Sequence, residues 1–317
     1  MADERKQMVK GAVVAAVTPA TEDFDVDYER LRDQYRFLIE GGIREGVGVI
    51  LAVGGGGEGY FLDTEQWMNS VKIFAEEAKG KVPTMVGVFE LNAAHAVKKI
   101  RYAEDLGIDM VQLAPPHYEK PTDAEVFAYY KMVNDSIRKI GIVVYHTYWS
   151  LPEYYEMTAP VISRLADLKN VIGIKWASTS LPDFTQVLFG FRDRFAFVDN
   201  QGWTQTVGDP HGMQAFMFFR GNFDPPAAAE IGKLFLAGDH KAFVQKVSEK
   251  MAFRGPLNRE ILAEVHGPNS PERKTLGEGT LAKATMDIFD RPMGPAFPPQ
   301  HNLSEETKAR VKKEIGR

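Results

Sequence analysis

The feature that most limits how this chain can fold is a recurrence. Short apolar runs, each followed by an amphipathic stretch, succeed one another from near the N-terminus to about Asp239. Gly11 to Val17 ends at Thr18-Pro19, and Asp27 then opens a stretch carrying Leu31, Tyr35, Leu38 and Ile39 at helical spacing, so the pair reads as strand then helix. The unit repeats as Val47 to Val53 before a helix from Asp63, Thr84 to Phe89 before one from Asn92, and Met110 to Ala114 before one from Thr122. Ile140 to Tyr145, Val171 to Ala177, Phe195 to Val198 and Gln214 to Phe219 supply further strands, with helical segments expected near Thr158, Pro182, Trp203 and Ala227. Strands that lack strict polar alternation are those of a parallel sheet covered on both faces.

Eight such units at intervals of roughly 30 residues, with no Pro/Ser-rich linker, predict a (β/α)8 TIM barrel. A doubly wound open sheet is the alternative. The expected division is a catalytic barrel over residues 1–238 and a C-terminal helical region over residues 239–317, the latter interrupted at Gly255-Pro256, Gly267-Pro268 and Arg291 to Pro299. A chain of 317 residues with 44% hydrophobic content can bury such a core, but it could equally form two ordinary domains, so the pattern decides where composition does not.

Composition does narrow the partners. Lys and Arg number 38 against 43 Asp and Glu, a formal charge of −5, and there is no long basic run, which argues against nucleic acid and for small molecules. The opening MADERKQMVK lacks the apolar centre of a signal peptide, and no apolar run approaches the roughly 18 residues of a membrane span. A soluble, cytoplasmic protein is expected. The absence of cysteine removes disulfides, thiolate metal sites and cysteine nucleophiles.

In a (β/α)8 barrel the site lies at the C-terminal strand ends, which gathers distant residues into one list. They are Thr18, Gly54 to Glu58, Glu90, His117 and Tyr118, Tyr145 and His146, Lys175, and Asp199 with Asn200. Gly54, Gly56 and Gly59 formally satisfy G-x-G-x-x-G, but the helix begins only at Asp63 and the next strand-end carboxylate, Glu90, comes too late for a dinucleotide fingerprint. A glycine loop there can still offer backbone N–H groups to a carboxylate or phosphate; the plain alternative is a tight turn. No His-x-His pair or helical i, i+4 histidine pair is present, so no metal is expected.

Lys175 stands inside the run NVIGIKWAST, otherwise a buried strand. Burial favours the neutral amine and makes such a lysine a nucleophile able to form a Schiff base. The competing reading is a lysine snorkelling to water or paired with a carboxylate. Tyr145 closes IGIVVY, where a tyrosine can shuttle protons or simply pack with a wet hydroxyl.

With a lysine on strand six, a tyrosine ending strand five and a glycine loop after strand two, the chain resembles the dihydrodipicolinate synthase/N-acetylneuraminate lyase family of class I aldolases. The likeness runs through the early VTP, the GGGGE loop where that family commonly has GTTGE, PPHYEKPT against PYYNKPT, GIKWAS, and the late AKATMDIFDRPMGPAFPP. The resemblance implies Lys175 as the Schiff-base lysine and Tyr145 as its proton shuttle. It places Gly55 and Gly56 against the carboxylate of a 2-oxo acid, and it has Tyr118 reach across a subunit interface, hence a homo-oligomer, dimer or tetramer. Thr18 and His146 are further expected substrate contacts. No cofactor is implied.

The sequence departs from that pattern where substrate would be chosen. The two loop hydroxyls are replaced by Gly55 and Gly56. After Tyr145 the chain reads His146, Thr147, Tyr148, Trp149, Ser150 rather than Asn-x-Pro and a later arginine, and Trp176 replaces the usual acidic residue. These changes argue against a true dihydrodipicolinate synthase, and Trp149 and Trp176 are expected to line a pocket for a bulkier, less polar substrate portion; the alternative for Trp176 is to point away from the barrel interior and pack against a helix, since strand neighbours of an inward Lys175 face the other way. The expected activity is a Schiff-base lyase acting on a 2-oxo acid, by aldol cleavage that releases pyruvate or by dehydration. A non-catalytic 2-oxo-acid sensor and a metal- or nicotinamide-dependent barrel enzyme are the alternatives.

Overall fold

The computed structural model describes residues 2–201, 208–266 and 277–317. Eight parallel strands close into a barrel in sequence order, each hydrogen-bonded to its neighbours and the last to the first. They are β1 (Gly11–Ala15), β2 (Gly48–Ala52), β3 (Thr84–Val88), β4 (Met110–Leu113), β5 (Gly141–Tyr145), β6 (Val171–Trp176), β7 (Ala196–Asp199) and β8 (Ala215–Met217). The (β/α)8 reading therefore holds, including the two short strands β7 and β8. The helical segment expected near Trp203 and the break expected at Gly267-Pro268 lie outside the described residues.

Around the barrel run α2 (Tyr28–Glu40), α3 (Thr64–Ala78), α4 (Ala93–Leu106), α5 (Asp123–Ser136), α6 (Ala159–Leu165), α7 (Leu181–Phe191) and α8 (Pro225–Leu236). The residues that open them act as predicted. Asp27, Asp63, Asn92 and Thr122 each accept a first-turn backbone N–H, and Asp63 with Gln66 and Thr122 with Glu125 form reciprocal capping boxes. Val13, Val49, Met85, Met110, Val143 and Val198 fill the barrel interior, so the centre is a packed core and a site can open at the strand C-terminal face. A helix that the apolar pattern does not signal, α1 (Ala2–Met8), brings Met8 and Val9 against that interior core.

Beyond the barrel come α9 (His240–Met251), α10 (Arg254–His266), α11 (Glu278–Ile288) and α12 (Glu305–Glu314). They have a small core of their own, including Phe253, Leu257, Ile261, Ile288 and Val311. A second patch joins Ala282 and Met286 of α11 to Val17 at the end of β1, which fastens this region over the open end of the barrel.

Candidate active site

The strand ends and the C-terminal helices enclose a cavity of about 810 Å³. At its base are Lys175 and Tyr145, register partners on adjacent strands. Side chains alternate across a strand, and Val144 and Ile174 point out into the barrel–helix layer, so Tyr145 and Lys175 point in. Both are buried, and Lys175 Nζ lies 4.4 Å from the centroid of the Tyr145 ring.

Burial pulls the Lys175 ammonium from its ordinary value down to about 8, opposed only by the charge of Glu278. Near neutral pH roughly a tenth of this lysine is thus unprotonated, the form a nucleophile needs. Burial, reinforced by the same glutamate, pushes the Tyr145 phenol well above its ordinary value. The phenol therefore keeps its proton at neutral pH.

The loop after β2 turns as one short 3-10 helix, Gly55–Gly57. The N–H groups of Gly57, Glu58 and Gly59 donate within the loop, to the carbonyls of Gly54, Gly55 and Gly54 respectively, bonds in which the Gly55 and Gly56 amides take no part. Gly55 and Gly56 line the cavity, where backbone amides suit a carboxylate. Thr18 steadies this loop from behind, its hydroxyl donating to Gly57 O at 2.6 Å.

Glu58 anchors the loop to the C-terminal region. Its buried carboxylate accepts from Phe297 N at 2.9 Å and Gln300 Nε2 at 2.7 Å and faces Lys283 Nζ at 3.6 Å. Burial raises the Glu58 carboxyl and lowers the Lys283 ammonium to about 8. Phe89, Tyr60, Tyr148, Trp149, Met217 and Leu281 supply an aromatic and apolar part of the wall.

A sequence profile described as the dihydrodipicolinate synthetase family matches residues 8–315. The chain belongs to that family. Its members are class I aldolase-type lyases, so the buried lysine and its tyrosine stand in an enzyme fold of that kind. Among curated relatives, the 4-hydroxy-tetrahydrodipicolinate synthase of Trichlorobacter lovleyi is 30% identical over 237 residues, 73% of this chain and 77% of that one. The enzyme of the same name from Geobacter sulfurreducens is 31% identical over 232 residues, with 73% and 77% covered. The chloride-inhibited dihydrodipicolinate synthase from Acinetobacter baumannii, solved with pyruvate, superposes with a TM-score of 0.80 at 21% identity, covering 97% of this chain and 98% of that one. A prophage protein of the dihydrodipicolinic acid synthase family from E. coli K12, also solved with pyruvate, gives 0.81 at 18% identity, with 97% of each chain covered.

Against the family pattern, three expected substrate contacts fall elsewhere. Trp176, next after an inward lysine, points outward, buried among the helices, with its indole N–H on Phe184 O at 3.3 Å. His146, next after the inward Tyr145, points the same way and stacks on Trp176 with ring centroids 4.6 Å apart. The His146 Nε2 accepts from Met157 N at 2.8 Å, and burial draws the imidazole down to about 4, so it is a neutral packing residue. Thr18 is wholly buried and shapes the loop instead of lining the cavity. Trp149 does line the cavity, as do His117 and Asn200. Tyr118 does not: it is 82% exposed, on the outside of the chain.

The sequence reading missed Gln201, Arg254, Asn258 and Glu278, all of which line the cavity. Gln201 ties the loops after β5, β6 and β7 together through the Tyr148 hydroxyl and the Ser178 backbone. The other three come from α10 and α11. A polar residue on a helix carries no signal of which cavity it will face. Among the described residues no group of three or more His, Asp or Glu side chains is arranged to hold a metal ion.

Proposed function

We propose that this chain is a Schiff-base-forming lyase that acts on a 2-oxo acid with a bulky, largely apolar distal portion, either cleaving it to release pyruvate or dehydrating it. The observation that carries the reading is Lys175, buried and drawn to about 8, beside Tyr145 at the base of a cavity far larger than a three-carbon keto acid fills. The neutral amine attacks the keto carbon, water leaves, and the protonated imine becomes the electron sink for breaking a bond at C3 or C4. The Gly55 and Gly56 amides hold the 2-oxo acid's carboxylate, and Tyr145 carries protons to and from the reacting atoms.

A true dihydrodipicolinate synthase is the less favoured reading, although relatives carry that name. After Tyr145 no arginine follows in the segment His146 to Ser150, and Tyr148 and Trp149 stand at the cavity wall instead. We take residues 1–238 as the catalytic barrel and 239–317 as the region that roofs it. The exposed Tyr118 fits a homo-oligomer in which it reaches a neighbouring site.

Borohydride reduction in the presence of pyruvate and a panel of longer 2-oxo acids, read by mass spectrometry, tests the chemistry. The ligand's mass should be added to the peptide holding Lys175, and Lys175→Arg should take up none because guanidinium stays protonated. Labelling on another residue, or none across the panel, defeats the proposal. Release of pyruvate or of water from the best ligand then separates aldolase from dehydratase.

A further inference from the structure

Relative to the motif it resembles, the glycine loop has lost two hydroxyls, and the structure shows what stands in the vacated space. A Cβ built on Gly55 would lie 2.2 Å from Glu278 Oε2 and 3.1 Å from its Cδ. Gly55 is not among the positive-φ glycines, so its backbone would accept a side chain; it is the carboxylate that excludes one. Glu278, from the first turn of α11, thus occupies the volume of a side chain at position 55, within the cavity that Lys175 and Tyr145 line.

The placement is built, not incidental. The next residue, Gly279, lets α11 come flush against the loop: a Cβ there would lie 2.1 Å from Glu58 Oε1. One turn on, Lys283 completes the buried pair with Glu58 and donates to Met293 O at 2.9 Å. Helix and loop are clamped to each other within a few residues of Glu278. Among the described residues none donates a hydrogen bond to the Glu278 side chain or pairs with it, while both Lys175 and Tyr145 sense its charge.

We propose that Glu278 is the acid–base group that replaces the missing loop hydroxyl, relaying a proton between the Lys175 nitrogen and the C2 oxygen of a bound 2-oxo acid. The inference rests on the Schiff-base reading above. The Lys175 nitrogen bonds to C2 and the carbonyl π pair moves onto oxygen. A proton of the new ammonium passes to a Glu278 oxygen and from there to the C2 oxygen, which gives the neutral carbinolamine and restores the carboxylate. A second proton, from Tyr145, lets that oxygen leave as water while the nitrogen lone pair forms the imine; Tyr145 regains its proton from solvent.

The test is the rate of borohydride-trapped adduct formation with pyruvate, sampled over time, alongside thermal unfolding. Glu278→Gln keeps the shape and loses the proton site, so adduct formation should slow by roughly 10²- to 10⁴-fold with the unfolding midpoint unchanged. Gly55→Thr combined with Glu278→Ala puts a hydroxyl where the carboxylate was, and should run at least about tenfold faster than Glu278→Ala alone. A wild-type rate in Glu278→Gln overturns the relay. If Glu278→Gln unfolds, the Glu278→Ala pair decides on the same rate, and equal rates with and without the new hydroxyl overturn it. No adduct at Lys175 in the wild-type protein would sink the relay together with the Schiff-base reading, whereas a normal wild-type adduct with no effect of the variants removes the relay alone.

Discussion

Lys175 Nζ lies 4.4 Å from the centroid of the Tyr145 ring, and the two residues are register partners across β5 and β6. The pairing puts the proposed nucleophile and the proposed proton carrier at one level of the barrel without any loop to position them. It also limits solvent around the amine, which is why burial is the main influence on its protonation.

That yields a pH dependence with a definite sign. With the Lys175 ammonium lowered to about 8, the neutral amine dominates above that pH and is depleted below it. Adduct formation with pyruvate should rise about tenfold per pH unit below 8 and level off above it. For stability, a lysine lowered in the folded state contributes above its ordinary pKa of 10.5, and the contribution is lost as pH falls through about 8. A trapping rate that stays flat from pH 6 to 9 contradicts this assignment.

Tyr145→Phe removes the hydroxyl and keeps the ring that packs edge-on against Phe89 with centroids 5.6 Å apart. We expect kcat to fall by roughly 10²- to 10⁴-fold while the unfolding midpoint stays near wild type. Parallel loss of stability and activity would identify the tyrosine as a packing residue instead.

The two tryptophans flanking the site should separate cleanly. Trp149 lines the cavity, so Trp149→Ala should raise KM for a long 2-oxo acid more than for pyruvate. Trp176 is fully buried behind β6, so Trp176→Ala should cost about 3–5 kcal/mol of stability and leave the ratio of those KM values unchanged. Urea unfolding and steady-state kinetics on the same two variants distinguish them; a change in the KM ratio for Trp176→Ala and none for Trp149→Ala reverses the assignment.

The buried pair of Glu58 and Lys283 predicts an asymmetry. Lys283→Met strands the fully buried Glu58 carboxylate without its cation and should cost about 3–5 kcal/mol. Adding Glu58→Gln to it should recover much of that loss, because neither buried charge then remains. Strictly additive losses in a double-mutant cycle by urea unfolding would mean the pair is not coupled.

Much of this was legible in the sequence because its physical cause is local. Apolar runs spaced by capped amphipathic stretches can bury their surface as parallel strands under helices, and Asp27, Asp63, Asn92 and Thr122 do open their helices. Lys175 stood out because an amine in an apolar strand has few structural explanations. The outward positions of His146 and Trp176 were also implicit, since each follows an inward residue on a strand and period two leaves no other face. What only the tertiary structure decided is the roof of the cavity. Contacts such as Phe297 N to Glu58 Oε1 join residues 239 apart in the chain, and nothing in the local pattern around Glu278, Arg254 or Asn258 says where their helices will return. Whether position 55 holds a hydroxyl or yields its space to a carboxylate follows from that distant packing, so the sequence alone showed a lost group where the fold supplies a substitute.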